Sequence, residues 1–565
     1  MKKAISGIFS TANVRKQAFG TTLKRLVALT LSLMLSLALI AGCGSDGSFS
    51  QILDAIPHPA SAPEPAPAPA MEAPASDSFS LAPESWNDEE DWRFNPFTGT
   101  DEFGTAEESP FMDVRTSPLS TFSASVNTAS YSIMRRQINN NMEPTGLRIE
   151  ELINYFDFDY AAPMPGSEHP FSVITEIARC PWAPEHLLAK IAVQGVRLEH
   201  TEEIANNIVF LIDVSGSMDQ PDRLPLVIES MNMLIDKLNG NDRISIVTYA
   251  GSEKILADSV PGSYHRELKS VVGGLRAGGS TAGAQALRQA YGLASKNFIE
   301  GGNNRIILAT DGDFNVGESS VADLTRLVET ERDRGIFISV LGYGMGNLKD
   351  NMMESIANNG NGNYAYIDTI QEAKKVLVNE FDSTMFTIAK DVKFQVEFNP
   401  ATIGSYRLIG YDTRRLNNED FNDDSKDAGE VGSGHSVTVF YELIPAGSFS
   451  EDGLVDPLRY SESVTTDSDD FMTVKVRYKN PTGDVSKLME QAVGAKTLKK
   501  GVSDSFVFAS AIAEFGLLVT DSSYKGNSSI GGVLSRANAS IGEDSFGLRT
   551  EFLDLVYKYG RTAGY

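Results

Sequence analysis

Between residues 207 and 385, short apolar runs alternate with longer segments in which apolar residues recur every three or four positions. The short runs predict buried strands, and the longer segments predict amphipathic helices. Their regular alternation predicts an α/β domain, a Rossmann-like, doubly wound and mostly parallel sheet with helices on both faces. The predicted strands are 208–212, 244–249, 305–309 and 336–341, and the predicted helices are 221–238, 282–297, 320–334 and 347–358.

The segments on either side of this domain mix strands of alternating polar and apolar residues with helices. Residues 96–206 predict a mixed α+β domain, and residues 386–565 predict a domain that is β-rich first and helical afterwards. Because β-rich segments flank the α/β domain on both sides, we expect them to pair as a sandwich into which the central domain is inserted. The predicted strands are 171–177, 188–196, 392–396, 435–441 and 472–478, and the predicted helices are 149–156, 506–518 and 550–559.

The first 95 residues have no such pattern. Residues 1–42 contain six Lys or Arg and no Asp or Glu, and they include a mostly apolar run, 26–40, that ends shortly before Cys43. As a helix this run would span about 22 Å, which is too short for a permanent membrane anchor. The segment resembles a lipoprotein signal peptide, which implies cleavage before Cys43 and attachment of lipid to its thiol. Residues 43–95 are rich in Pro and Ala and predict an extended, disordered tether.

Composition restricts the possible partners. The chain of 565 residues is too long for a single hydrophobic core, and its formal net charge is -26. Such an acidic surface repels nucleic acid and anionic headgroups, so we exclude nucleic acid and assign membrane attachment to the lipid. With Cys43 lipidated, the other cysteine, Cys180, has no disulfide partner, and we expect it to be buried.

Candidate chemistry lies at the ends of the predicted central strands. Asp213, Ser215 and Ser217 follow the first strand, Thr281 precedes a predicted helix, and Asp311 follows the strand 305–309. Ligands of open parallel sheets bind beyond the carboxyl ends of the strands, where strand order reverses, so we expect these side chains to share one crevice. Two carboxylates and three hydroxyls are ligands for a hard cation, with Mg²⁺ the first choice and Mn²⁺ or Ca²⁺ as alternatives.

The motif Asp213-x-Ser215-x-Ser217, with Thr281 and Asp311-Gly312, resembles the metal-ion-dependent adhesion site of von Willebrand factor type A domains. The resemblance implies that an acidic residue of a partner protein completes the metal's ligand shell. The flanks resemble a narrower family, bacterial lipoproteins in which this domain has dedicated N- and C-terminal regions. That resemblance covers most of 110–560 and is carried by 118–122 through Tyr131, by 148–151, by 513–516 and by 546–549.

Three function classes follow from these patterns. The first is a non-enzymatic envelope lipoprotein that binds a protein partner through the metal. The second is a structural or assembly scaffold in which the metal only stabilises the domain and the flanking segments make the contacts. An envelope hydrolase is the third, but the chain shows no recognisable nucleophile and base. Gly44 points to the outer membrane in a cell that has two, and otherwise the lipid would hold the protein on the outer face of the cytoplasmic membrane.

Overall fold

The computed structural model describes residues 101–104, 107–124, 127–198, 204–280, 283–312, 321–346, 348–448, 468–499 and 501–563. All of them belong to one compact unit, Arg93–Tyr565. The predicted signal peptide, the tether and Cys43 lie outside the described residues, and so does Thr281.

Sixteen strands and thirteen α-helices are formed within the described ranges. The strands are β1 (Met112–Asp113), β2 (Leu119–Ser123), β3 (Phe171–Arg179), β4 (Leu187–Gly195), β5 (Asn206–Asp213), β6 (Arg243–Tyr249), β7 (Glu253–Pro261), β8 (Asn303–Thr310), β9 (Ile336–Tyr343), β10 (Tyr364–Ile367), β11 (Thr387–Phe398), β12 (Ile403–Ile409), β13 (Gly429–Gly432), β14 (Ser436–Pro445), β15 (Asp470–Lys479) and β16 (Ser486–Gly494). The helices are α1 (Ala129–Asn139), α2 (Ile149–Ile153), α3 (Leu224–Ile235), α4 (His265–Gly273), α5 (Gly283–Lys296), α6 (Val321–Arg332), α7 (Asp350–Asn359), α8 (Ile370–Lys374), α9 (Phe381–Met385), α10 (Lys496–Lys499), α11 (Asp504–Val519), α12 (Ile530–Ala539) and α13 (Leu548–Thr562).

The central sheet has the strand order β10-β9-β8-β5-β6-β7. Neighbouring strands in this sheet are parallel, except β6 and β7, which are antiparallel. All eight residues of β5 and of β8 are buried, because helices cover both faces of the sheet. Successive residues of β5 accordingly enter different cores: Ile208 and Phe210 pack with α3, whereas Val209 and Leu211 pack with α5. The doubly wound α/β prediction is confirmed.

The flanking segments form two antiparallel sheets that face each other across one core. In the first sheet, of order β1-β12-β14-β4-β3, strand β4 precedes the central domain and its neighbour β14 follows it. In the second sheet, of order β13-β11-β15-β16, strand β2 also pairs with β11. Strands from before and after the central domain are therefore neighbours in both sheets, which confirms the expected insertion into a sandwich.

A layer of helices covers the outer face of the first sheet. Helices α1, α2, α11, α12 and α13 enclose a core that also receives Leu188 and Phe440 from β4 and β14. Cys180 lies in this core and is 1% exposed, as predicted for a cysteine without a disulfide partner. In the part of the chain that the structure describes, no helix has the length and hydrophobicity needed to cross a membrane.

Helix α1 connects the flanking parts with the central domain. Its Ile133 packs in the central core, whereas Met134 packs in the helical core. The adjacent Arg135 is buried and forms ion pairs with Asp368 of the central domain and with Glu372, at the start of α8. Breaking such a buried pair leaves an uncompensated charge, so these contacts hold α1 firmly against the central domain.

Several elements were not predicted, and some predicted helices are shorter than expected, among them the one predicted over 221–238, which is Leu224–Ile235. The helix predicted over 149–156 ends at Ile153. Strand β7 escaped prediction because it is an exposed edge strand: of its run Lys254-Ile255-Leu256-Ala257 only Ala257 is buried, so no regular alternation marks it. Helix α4 and strand β10 were missed as well, and both are short.

Candidate metal centre

Asp213 and Asp311 lie at the point where the strand order of the central sheet reverses. Asp213 is the last residue of β5, and Asp311 follows Thr310, the last residue of β8. The two strands are parallel neighbours, but β5 leads to β6 on one side and β8 leads to β9 on the other. This topology opens a crevice beyond the carboxyl ends of β5 and β8, where the sequence placed both carboxylates.

The carboxylate of Asp213 is fully shielded from solvent. Its Oδ1 accepts a hydrogen bond from the backbone N–H of Ser215 (2.8 Å), and its Oδ2 accepts one from the Thr310 hydroxyl (3.2 Å). Among the described residues it has no cationic partner. Burial, together with the charge of Asp311, raises the pKa of Asp213 to about 6. A buried carboxylate in this position would be stabilised by a cation between it and Asp311.

The two serines of the motif present their hydroxyls to one another. Ser215 is buried, and Ser217 lies in the 3₁₀ turn Gly216–Met218, where it is partly exposed. Their Oγ atoms are 2.9 Å apart. The turn keeps the two hydroxyls next to each other, shortly after Asp213, so we expect their oxygens to serve the same cation as the carboxylate.

The loop that precedes Thr281 is bonded to the serine turn. Gly278 donates its N–H to the carbonyl of Val214 (2.8 Å), and Gly216 donates its N–H to the carbonyl of Gly279 (3.0 Å). Gly279 has a φ of +92°, and a Cβ there would lie 2.9 Å from the carbonyl oxygen of Ala250, which favours glycine at this crossing. The chain therefore reaches the crevice two residues before Thr281, whose role as a ligand stays a prediction.

Sequence reasoning missed Arg223, which also contacts the centre. Its Nη1 donates to Oδ2 of Asp311 (2.6 Å) and to the carbonyl oxygen of Ser217 (2.7 Å). The residue precedes α3, inside the segment that the sequence predicted as helix, where an arginine is unremarkable. The one available signal was its position shortly after the aspartate and serine motif.

The donor set fits a hard divalent cation. The described residues offer two carboxylates and two hydroxyls, all of them oxygen donors of the type that Mg²⁺ and Mn²⁺ prefer. Within the described ranges no group of three or more His, Cys, Asp and Glu side chains is placed to hold a metal ion. A cation at this centre would therefore depend on hydroxyl oxygens and water for the rest of its shell, as Mg²⁺ tolerates.

A parallel sheet with an aspartate and two serines after its central strand, and a second aspartate after the neighbouring strand, defines a von Willebrand factor type A domain. The family model of that name, "von Willebrand factor type A domain", matches residues 207–379. Two further family models match the flanks: "von Willebrand factor" over 97–190, and "Uncharacterized protein YfbK, C-terminal" over 383–561.

One curated relative matches most of the chain. The Escherichia coli (strain K12) "Uncharacterized protein YfbK" is 39% identical over 469 residues, which cover 81% of this chain and 81% of that protein. The chain belongs to the YfbK family of von Willebrand factor type A proteins. These matches confirm the resemblance to von Willebrand factor type A proteins that have dedicated N- and C-terminal regions.

More distant matches cover less of the chain. "Inter-alpha-trypsin inhibitor heavy chain H2" of Sus scrofa is 23% identical over 208 residues, 35% of this chain and 22% of that protein. Among solved structures, "von Willebrand factor type A from Catenulispora acidiphila" aligns with a TM-score of 0.41 and 16% identity over 69% of this chain and 91% of that chain. The family assignment rests on the sequence matches.

Proposed function

We propose that this protein binds a protein partner through a divalent cation, with Mg²⁺ preferred over Mn²⁺ or Ca²⁺. The observation that carries the proposal is the convergence of two buried carboxylates, Asp213 and Asp311, and two facing hydroxyls at the switch point of the central sheet. Thr281 is the proposed fifth ligand. The bound cation would supply electrostatic attraction for an anionic oxygen, so an acidic side chain of the partner would complete the shell.

The residues around the centre have separable tasks in this proposal. The N–H of Ser215 and the hydroxyl of Thr310 fix the orientation of Asp213, so its lone pairs face a defined direction. Ser215 and Ser217 contribute oxygens, and Asp311 supplies the second negative charge. Gly216 and Asp219 are exposed, so the rim of the crevice is open to a partner.

The acidic character of the chain makes the cation necessary for this recognition. A formal charge of -26 repels an acidic partner at long range. Without the cation, the two buried aspartates outnumber the single positive charge of Arg223, so the centre would reinforce that repulsion at the point of contact. Binding of an acidic side chain would therefore depend strongly on the divalent ion, and chelation would release the partner.

We also propose that the protein is a lipoprotein of the cell envelope. The support is the basic and apolar segment 1–42 before Cys43, followed by the tether 43–95. Labelling of cells with a radioactive fatty acid tests this. Wild type should incorporate label and Cys43→Ser should not, whereas equal labelling of both proteins would exclude this anchor.

The test of the metal-dependent function compares Asp213→Asn with Asp219→Asn. The first removes one negative charge from the centre without changing side-chain volume, and the second makes the same change at an exposed position of the same loop. Calorimetric Mg²⁺ titration should show binding for wild type and Asp219→Asn and a loss of about a hundredfold or more in affinity for Asp213→Asn. Thermal melting in chelator should show that Asp213→Asn remains folded.

Capture of partners from an envelope extract then separates the two function classes that involve the metal. If chelator and Asp213→Asn both release the captured protein, the cation holds the partner. If Mg²⁺ binds but capture is unaffected, the metal stabilises the domain and the flanking segments make the contacts, which is the scaffold alternative. Absence of Mg²⁺ binding to wild type would refute the proposed centre itself.

A further inference from the structure

Arg223 joins three loops at the carboxyl edge of the central sheet. Besides its bonds to Asp311 and to the carbonyl oxygen of Ser217, its Nη2 donates to the carbonyl oxygen of Met345, after β9 (2.6 Å). Its side chain is 12% exposed, and the Asp311 side chain is 0% exposed. One positive charge is therefore held inside the crevice, against one of the two carboxylates that define the centre.

The surrounding backbone is shaped to hold this guanidinium. Gly344 has a φ of +72°, and a Cβ added there would lie 2.3 Å from Nε of Arg223. A side chain at this position would therefore displace the arginine. Next to Arg223, Asp222 is ion-paired with Arg136 of α1, and Arg136 also donates to the hydroxyl of Tyr366. The segment that carries Arg223 is thus fastened to the flanking part of the protein.

We propose that Arg223 is a tethered cation that shares Asp311 with the divalent ion and thereby sets the affinity of the centre for metal. This inference rests on the proposed metal-dependent function. With Arg223 in place, the two aspartates and the guanidinium leave the empty centre with one net negative charge. Without Arg223 it would have two, which attract a divalent cation more strongly. Arg223 therefore acts as a positioning residue: it stabilises the empty centre and weakens the hold on the metal.

The positive charge of Arg223 also affects which partner group binds to the metal. When a divalent cation is bound, the centre with Arg223 has one net positive charge, whereas the centre without Arg223 would be neutral. Since a net positive centre favours an anionic oxygen over water, Arg223 would bias the last coordination position toward an acidic side chain of the partner. Low metal affinity and selection of an anionic ligand would then have the same origin.

The experiment is a calorimetric Mg²⁺ titration of the detergent-solubilised full-length protein and three variants. Arg223→Gln removes the charge and keeps a hydrogen-bonding group, and Arg223→Lys keeps the charge without the planar fork. Arg243→Gln is the matched control: Arg243 begins β6 at the opposite edge of the same sheet, and its Nη1 also donates to backbone carbonyl oxygens, those of Gly240 and Asp242.

The dissociation constant for Mg²⁺ should fall about tenfold or more in Arg223→Gln, a change equivalent to about 1.4 kcal/mol, and stay close to wild type in Arg223→Lys and Arg243→Gln. In chelator, Arg223→Gln should melt at a lower temperature than Arg243→Gln, because the two aspartates lose their compensating charge. These results together would support the inference.

Other results would overturn the inference that Arg223 lowers the affinity of the centre for metal. If wild type binds Mg²⁺ and Arg223→Gln binds it equally well or more weakly, Arg223 does not compete with the metal, and the proposed function is untouched. If Arg223→Lys gains affinity as Arg223→Gln does, the positive charge is not the cause. If neither wild type nor Arg223→Gln binds Mg²⁺, the metal centre fails and the inference fails with it.

Discussion

Two adjacent glutamates of helix α2 have opposite electrostatic environments, although both are almost fully buried, at 2% and 1% exposure. Glu151 accepts hydrogen bonds from Nε of Arg148 (2.6 Å) and from the hydroxyl of Ser130 (2.8 Å). Glu150 forms no ion pair with a described residue, and its Oε2 accepts a bond from the N–H of Tyr411 (2.9 Å). Burial and the charge of Glu151 raise the pKa of Glu150 to about 7, against the opposing effects of backbone hydrogen bonds, first the one from Tyr411, and of the charge of Arg148.

We predict that Glu150→Gln stabilises the protein above neutral pH. Between pH 4.5 and about 7 the folded protein holds the Glu150 proton more tightly than the unfolded chain does, so the free energy of unfolding falls as pH rises through this window. The shift from 4.5 to about 7 corresponds to a cost of about 3 kcal/mol at pH 8. Glutamine has no such cost, and its amide oxygen can still accept the bond from Tyr411.

The assay is urea denaturation of wild type and Glu150→Gln at several pH values. The two proteins should have similar free energies of unfolding near pH 4.5, and the variant should gain up to about 3 kcal/mol by pH 8. Glu151→Gln is the control, since it disrupts an ion pair and should destabilise by about 3 to 5 kcal/mol at neutral pH. A difference between wild type and Glu150→Gln that does not change with pH would refute the reasoning.

Two further predictions concern buried groups. Arg135→Leu leaves the carboxylates of Asp368 and Glu372 without their buried partner, so the free energy of unfolding should fall by about 3 to 5 kcal/mol; urea denaturation measures it, and a loss below about 1 kcal/mol would contradict the pairing. Burial raises the pKa of the Cys180 thiol to about 12, so iodoacetamide at pH 8 should label this residue only after unfolding, as mass spectrometry can show, and rapid labelling of the folded protein would contradict its burial.

The elements that the sequence predicted best are those whose environment is uniform along their length. Strands β5 and β8 are buried at every position, and their apolar runs place Asp213 and Asp311 at the same edge of the sheet. Four of the five predicted ligands lie among the described residues, on the predicted strand ends and turn. This part of the site was predictable because a local motif and the topology of a parallel sheet determine it together.

Other features depend on residues distant in sequence, and a local pattern does not reveal them. Helix α1 was not predicted because its polar residues are buried: Ser130, Ser132 and Arg135 occupy positions that would be exposed on an ordinary amphipathic helix. Arg135 is tolerated there because Asp368 and Glu372 pair with it, and these partners follow more than two hundred residues later in the sequence. Arg223 was missed for a similar reason, since its three acceptors come from loops after β5, β8 and β9.

The strand pairing of the sandwich has a consequence for the order of folding. Phe122 of β2 pairs with Phe394 of β11, and Ile191 of β4 pairs with Val439 of β14, so every such pair spans the whole inserted domain. The central domain can acquire its contacts as soon as its own residues are available, whereas β2 and β4 must wait for strands at the other end of the chain. Until then, the unpaired edges of these strands can pair with a wrong strand, including one from another copy of the chain. In a fragment that ends after the central domain, β3 and β4 could still pair with each other, but β2 and the edge of β4 that pairs with β14 would lack their partners.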